Sequence, residues 1–152
     1  MLVNSDSLVE NNIMTGNSSN WIGGTIFVDQ HAPTIRGNTL SGGSAMDDGG
    51  GMYIHRSKAR LIENTVTDNT AGDDGGGIRV FESAVFIKAN RIEKNRAIGD
   101  GGGLKISHVA SELVDNIVVG NEAMGQGGGM ELDNDSSVVR GGRVAGNKTS
   151  GS

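Results

Sequence analysis

The sequence contains no cysteine, one proline and few aromatic residues, which make up 3% of its 152 positions. Without cysteine the chain has neither a disulfide framework nor a thiolate metal site, and its compartment is left open. So few rings exclude a core built on large aromatic side chains. No apolar run approaches the roughly 20 residues of a membrane-spanning helix, so no membrane insertion is expected. The formal net charge of −5 excludes the basic surface on which nucleic-acid binding depends.

Glycine, by contrast, supplies 26 of the residues, more than twice its average usage of about 7%. Glycine triplets recur, and they begin at Gly49, Gly75, Gly101 and Gly127, at a constant interval of 26 residues. Gly23 begins a shortened copy, Gly-Gly-Thr, one interval earlier. Self-similarity at such a period indicates a repeat architecture. The chain is therefore one domain of about six units: 1–22, 23–48, 49–74, 75–100, 101–126 and 127–152.

Apolar residues alternate with variable residues in each unit. The inner residues of the first segment are Ile26, Met52, Ile78, Leu104 and Met130, followed two places later by Val28, Ile54, Val80, Ile106 and Leu132. Alternation of this kind is typical of a strand with one buried face. Two further apolar columns follow in each unit, and no segment has helical periodicity. The sequence therefore predicts an all-β, right-handed, single-stranded parallel β-helix of about six coils with three short strands per coil.

Asparagine forms two further columns. They are Asn12, Asn38, Asn64, Asn90 and Asn116, and Asn17, Asn69, Asn95, Asn121 and Asn147, with Gly43 in place of one asparagine. We expect the amides to hydrogen-bond from coil to coil as an asparagine ladder, at places where the backbone takes positive φ. The glycine triplets recur in every coil and precede strands, which favours tight corners over a phosphate-binding loop.

The repeat resembles the paired motif of the bacterial polymorphic outer-membrane proteins and of related autotransporter-type surface repeats. Its first half appears as VTDN at 66–69 and IEKN at 92–95, and its second half as a glycine triplet followed by an aliphatic residue. The chain departs from that motif in having an aliphatic residue for phenylalanine and a third glycine for alanine. The resemblance implies a β-helix of the pectate-lyase-like superfamily, which includes enzymes, adhesins and phage tail proteins. It also implies an extracellular, cell-surface or virion-surface location, although residues 1–12 lack the pattern of a signal peptide.

Aspartates recur at the corner before three successive glycine triplets. They are Asp47, Asp48, Asp73, Asp74 and Asp100. Carboxylates stacked about 4.8 Å apart repel one another unless a cation or water lies between them, and carboxylate oxygens are the ligands that calcium prefers. The sequence therefore predicts calcium as the metal that this corner could hold, with a solvated acidic corner as the alternative. No cofactor is required by the sequence.

The outward side of the first strand carries rings and cations that could contact a polysaccharide. The candidate ligand-binding residues are Phe27, Tyr53, His55, Arg79, Phe81 and Lys105. Rings stack on sugars, and charged groups hydrogen-bond to their hydroxyls, whereas the alternative is a varied solvent-exposed face. The superfamily resemblance implies a second alternative, a calcium-dependent polysaccharide lyase or epimerase domain. In that case Arg79 or Lys105 would be the catalytic base.

These patterns favour a non-catalytic structural or adhesive module that binds carbohydrate along one sheet. Neither end of the sequence shows a capping helix, so we interpret the chain as a segment of a longer solenoid. Unpaired strand edges at uncapped ends invite stacking. We therefore expect end-to-end self-association, which light scattering over a wide concentration range would detect.

Overall fold

The computed structural model describes residues 1–133 and 136–151 and consists of 24 strands joined by turns, numbered here in chain order. The first sheet contains β1 (Leu2–Val3), β5 (Ile26–Asp29), β9 (Met52–His55), β13 (Ile78–Phe81), β17 (Leu104–Ser107) and β21 (Met130–Asp133). The second contains β2 (Leu8–Glu10), β6 (Thr34–Arg36), β10 (Arg60–Ile62), β14 (Phe86–Lys88), β18 (Glu112–Val114) and β22 (Val138–Arg140). The third contains β3 (Ile13–Thr15), β7 (Thr39–Ser41), β11 (Thr65–Thr67), β15 (Arg91–Glu93), β19 (Ile117–Val119) and β23 (Arg143–Ala145). The fourth contains β4 (Ser18–Ser19), β8 (Ser44–Ala45), β12 (Thr70–Ala71), β16 (Arg96–Ala97), β20 (Glu122–Ala123) and β24 (Lys148–Thr149).

All four sheets are parallel, and each strand pairs with the equivalent strand of the next coil. Ile78 is opposite Leu104, and Arg60 is opposite Phe86, a separation of 26 residues in both cases. The predicted all-β parallel solenoid of about six coils is therefore confirmed. Among the described residues, no helix is long and apolar enough to cross a membrane.

Each coil has four strands, whereas the sequence predicted three. The additional strand has two residues in every coil, and in the four central coils it places one alanine inside, such as Ala71 or Ala97, which are 3% and 0% exposed. Two residues are too short to show alternation, and a single alanine gives a weak apolar signal. The fourth strand was therefore not recognisable from periodicity.

The core is a column of aliphatic side chains stacked through the solenoid. Ile54, Leu61 and Val66 face inward from three sheets of one coil, and each is 0% exposed. Full burial of such a side chain contributes about 1.5–3 kcal/mol. The inward positions predicted from the sequence fill this interior, except in the last coil, where Leu132 is 36% exposed.

The predicted asparagine ladder is present and buried. Asn64 Nδ2 donates to Asn90 Oδ1 at 2.9 Å and to the carbonyl of Ile35 at 2.8 Å, while its backbone N–H donates to the same Asn90 Oδ1 at 2.8 Å. The expectation of positive φ at the asparagines was wrong. Positive φ occurs one residue earlier, as at Glu63 (55°) and Ala89 (53°). The chain turns at that residue, so the asparagine can point its amide into the solenoid.

The three glycines of each triplet have different roles. The first, such as Gly75, has a positive φ of 64°. The second packs against the backbone of the next coil, where a Cβ on Gly76 would collide with the carbonyl oxygen of Gly102. The third faces the ladder, since a Cβ on Gly77 would lie 2.9 Å from Cγ of Asn95. The prediction that the triplets are corners with close backbone contacts is confirmed.

One coil departs from the repeat at two places that face each other. Thr25 stands where the third glycine is expected, and Gly43 stands at the ladder position of the same coil. A Cβ on Gly43 would lie 2.5 Å from Thr25 Oγ1. The threonine side chain therefore occupies space that an asparagine takes in the other coils, and the two exceptions are one coupled exchange.

We predict that Gly43→Asn destabilises the protein by about 1–3 kcal/mol, because the amide would be forced against Thr25 in a closed core. Thr25→Gly combined with Gly43→Asn should recover the loss, because the coil then has the glycine and the asparagine of its neighbours. Chemical unfolding of the two single variants and the double variant measures the coupling free energy. Additive effects would contradict the coupled exchange.

Candidate functional site

The outward side of the first sheet brings the predicted ligand-binding residues together. Strand pairing places Tyr53, Arg79 and Lys105 in one row across three coils. A second row, two residues further along each strand, places His55 beside Phe81. In-register parallel pairing therefore converts residues 26 apart in sequence into neighbours about 4.8 Å apart.

The centre of this face is closed to solvent, unlike the open surface that the sequence suggested. Tyr53, Arg79 and Lys105 are 9%, 6% and 7% exposed. Phe27, His55 and Phe81 are only partly buried. The predicted set thus divides into three residues that neighbouring side chains cover and three that solvent still reaches.

Arg79 is a buried cation held from several sides. Its Nη1 donates to the carbonyl of Val80 at 2.9 Å and to Ser107 Oγ at 2.8 Å. Its Nε lies 3.7 Å from Asp48 Oδ2 and 3.9 Å from Asp74 Oδ2, and among the described residues Nε has no hydrogen-bond partner. These carboxylates offset a charge that would be costly to bury alone.

Lys105 is bound by three carboxylates. Its Nζ lies 2.8 Å from Asp100 Oδ2, 3.0 Å from Asp74 Oδ2 and 3.3 Å from Glu131 Oε2. Burial by itself lowers the pKa of Lys105, but the hydrogen bonds to Asp100 and Asp74 outweigh it and raise the pKa above the ordinary value. The side chain is therefore an ammonium at neutral pH and a poor general base.

The inner aspartates form a ladder of their own. Asp48 Oδ1 accepts the backbone N–H of Asp74 at 3.0 Å, Asp74 Oδ1 accepts that of Asp100 at 2.9 Å, and Asp100 Oδ1 accepts that of Gln126 at 2.6 Å. The other oxygens face Arg79 and Lys105. Backbone donors and two side-chain cations thus compensate the stacked negative charges. Burial raises the pKa of Asp48 to about 6, although the hydrogen bond from Asp74 and the charge of Arg79 offset part of the increase.

The five aspartates of the predicted metal site do not converge on one point. Asp47, Asp48 and Asp73 each offer an oxygen within 4.8 Å of the others, and oxygen ligands of this kind suit a hard cation. Asp74 and Asp100 bind Lys105 instead. Calcium at the remaining three residues stays a prediction.

A row of rings runs along the same sheet. Ring centroids are 5.8 Å apart for Phe27 and Tyr53, 6.3 Å for Tyr53 and His55, 5.9 Å for His55 and Phe81, and 5.0 Å for Phe81 and His108. His55 Nδ1 also lies 2.9 Å from Asp29 Oδ1. His108 was not among the predicted residues, because it follows its strand and lies outside the alternating pattern. Its positive φ of 77° accompanies the turn that brings its ring beside Phe81.

The continuous parallel sheets, the enclosed aliphatic column and the asparagine ladder define the protein as a parallel β-solenoid. The model of the family described as "Periplasmic copper-binding protein (NosD)" matches residues 1–152, the whole chain, and the chain belongs to this family. A comparison with curated proteins and one with solved structures each gave no match. The periplasmic description agrees, at a coarse level, with the predicted extracellular or surface location. Membership supports the parallel β-helix, while the pectate-lyase-like relationship stays a prediction.

The family description names copper, whereas the sequence predicted either calcium or no cofactor. The metal-binding side chains of this chain do not fit copper. Copper favours thiolate, thioether and imidazole ligands, and the chain has no cysteine. In the described part of the chain, the one group of three histidine or carboxylate ligands is Asp47, Asp48 and Asp73. Met46 and Met124 occupy equivalent places three coils apart, about 14 Å at the strand spacing. Among the described histidine and carboxylate side chains, the cluster that could hold a metal ion is therefore a hard, all-oxygen group.

We predict that Asp48→Asn changes the pH dependence of stability. A carboxyl group whose pKa is raised on folding, here from 3.8 to about 6, binds its proton more tightly in the folded chain, so the folded state loses stability as pH rises through this range. Asparagine removes the titration but keeps an oxygen for the N–H of Asp74. The Tm of the variant minus that of the wild type should therefore increase from about pH 4 to about pH 7.5.

Glu122→Gln serves as the control with the opposite sign. The hydrogen bond from Lys148 lowers the pKa of Glu122, so the wild-type residue adds stability as pH rises. The Tm of this variant relative to the wild type should fall with pH. A constant Tm difference for Asp48→Asn across the same buffers would show that Asp48 is not protonated in the way the burial implies.

Proposed function

We propose that the chain is a non-catalytic periplasmic β-helix module, structural or adhesive in role, that binds an uncharged carbohydrate on the outward side of its first sheet. Family membership supports the location. The observation that carries the binding is the row of rings whose solvent-accessible end consists of His55, Phe81 and His108. Rings contribute apolar surface to a sugar, and imidazole nitrogens hydrogen-bond to its hydroxyls.

Carboxylates beside this end supply further acceptors for hydroxyl groups. Asp29 lies against His55 at 2.9 Å, and Glu82 Oε2 lies 3.9 Å from His55 Nε2 and 2.7 Å from Arg56 Nε. A shallow surface with a few rings and convergent polar groups is suited to one or two sugar units of a chain. Phe27 extends the row in the direction of the first coil.

The buried members of the predicted set support this surface without touching the ligand. Tyr53 packs between Phe27 and His55, and Arg79 Cζ lies 5.1 Å from the centre of the Phe81 ring. Lys105 holds the acidic ladder beneath them. Their role in the proposal is to fix the orientation of the exposed rings.

Local charge supports an uncharged carbohydrate over a uronate. The cluster beneath the rings contains four carboxylates, Asp48, Asp74, Asp100 and Glu131, against two cations, Arg79 and Lys105. This leaves the cluster net negative, and a polyanion approaching it is repelled. The lyase or epimerase alternative stays a prediction that the geometry does not favour, because Lys105 is held as an ammonium and Arg79 is enclosed.

We predict that the protein binds at least one neutral polysaccharide in affinity electrophoresis and that Phe81→Ala weakens this binding roughly tenfold, as expected for the loss of one ring contact. Phe86→Ala is the matched control, because it removes a phenylalanine from the outward side of the second sheet. The panel should contain neutral polymers and uronate polymers, each with calcium or with EDTA. Ultraviolet absorbance of the uronate samples tests for the unsaturated product of a lyase.

Absence of binding to every polymer would contradict the carbohydrate proposal, and so would equal losses in Phe81→Ala and Phe86→Ala. New ultraviolet absorbance that disappears with EDTA would establish the lyase alternative in its place. Loss of that absorbance in Arg79→Ala or Lys105→Ala would then identify the base.

A further inference from the structure

A separate basin of about 360 Å³ lies on the outward side of the third sheet, away from the ring row. Its floor is apolar and consists of Ile117, Val119 and Ala145 from the neighbouring strands β19 and β23. Its rim is cationic and consists of Arg91, Lys94 and Arg143. The volume lies in the range of small-molecule sites, about 300–1,000 Å³.

The basin results from a change of residue type along the third sheet. The outward places that Ile117 and Val119 occupy are filled two coils earlier by Thr65 and Thr67, and one coil before those by Thr39 and Ser41. Hydroxyl-bearing residues are typical of an outward sheet face in water. Two aliphatic residues at the same places on β19, the strand next to the end of the sheet, give this face an apolar patch.

Glycine at the following turn opens the side of the basin. Gly120 and Gly146 have positive φ, 64° and 63°, at the place that Lys94 occupies in the preceding coil. No atom of the described residues lies within 4 Å of a Cβ built on Gly146, and Cγ of Lys94 lies 4.0 Å from one built on Gly120. The row of turn side chains therefore stops at Lys94, and the floor beside it is left uncovered.

The rim has an excess of positive charge on a chain of net charge −5. Arg91 Nη2 lies 2.6 Å from Glu93 Oε2 and is neutralised by it. Among the residues that the structure describes, no carboxylate forms an ion pair with Lys94 or Arg143. Strand register places Arg91 and Arg143 on opposite sides of Ile117, about 10 Å apart at two strand spacings.

We propose that this basin binds a monomeric anionic amphiphile. The apolar body of the ligand lies on Ile117, Val119 and Ala145, and its anionic group, a carboxylate or a phosphate, lies between Lys94 and Arg143. Guanidinium and ammonium groups bind both kinds of anion by charge-assisted hydrogen bonds. This site is independent of the carbohydrate surface, since it is on another sheet and uses none of the same residues.

The experiment compares three probes that share one alkyl chain: decanoate, decanol and decyltrimethylammonium, each below its micelle concentration. Methyl chemical shifts of Ile117, Val119 and Ala145 report binding at the basin in the full chain, and Ala145 is the reporter in any variant that replaces the other two. We expect decanoate to bind most tightly. Arg143→Gln should weaken decanoate about fivefold, as for the loss of one charge-assisted contact, and should leave decanol unchanged.

Two further variants separate the floor from general effects. The double variant Ile117→Thr, Val119→Thr has the residues that the fold already carries at Thr65 and Thr67 of an earlier coil. This variant should bind both decanoate and decanol more weakly. Arg60→Gln removes a cation from the second sheet and should change neither. Three results would each overturn the proposal. Decanoate could bind no more tightly than decanol or decyltrimethylammonium, or Arg143→Gln and Arg60→Gln could have equal effects. The third result is binding to anionic phospholipid vesicles without binding to monomeric decanoate.

Discussion

The structure depends on the constraint that every coil has the same length. Parallel pairing without register shift lets a buried asparagine amide meet the asparagine amide of the next coil, as Asn64 meets Asn90 at 2.9 Å. An insertion of one residue on the path between the two would move every later side chain to the other face of its strand. It would also leave a buried amide without a partner, which costs about 1–3 kcal/mol. The stability of the core therefore depends, through the ladder, on a constant coil length.

The same register determines the chemistry of the outward face. Because residues 26 apart become neighbours, single charged residues in successive coils combine into the cluster of Arg79 and Lys105 with the inner aspartates. A stack of carboxylates alone would be destabilising, so the cations opposite it are part of the architecture. This arrangement explains why two residues with the appearance of catalytic bases are instead enclosed by counter-charges.

The sequence was sufficient to predict the repeat, the parallel all-β fold, the inward columns and the ladder, because each of these is a pattern at a fixed period. It was not sufficient for features that depend on side-chain direction. One such feature is the enclosure of Arg79 and Lys105. Another is the division of the aspartates into those that could ligate a metal ion and those that bind Lys105. Both depend on which neighbour each carboxylate oxygen faces. His108 and the two-residue strands were missed because a turn residue and a single alanine carry no periodic signal.

The exchange of Thr25 and Gly43 shows at what scale this sequence can change. Threonine alone would crowd the asparagine of another coil, and glycine alone would remove an amide from the ladder, yet the two residues lie within the single unit 23–48 and are compatible with each other. Duplication of that whole unit copies both residues together and keeps them facing each other, and deletion of the unit removes both at once. The coil, and not the individual residue, is therefore the natural unit of inheritance for the glycine and asparagine positions of this solenoid.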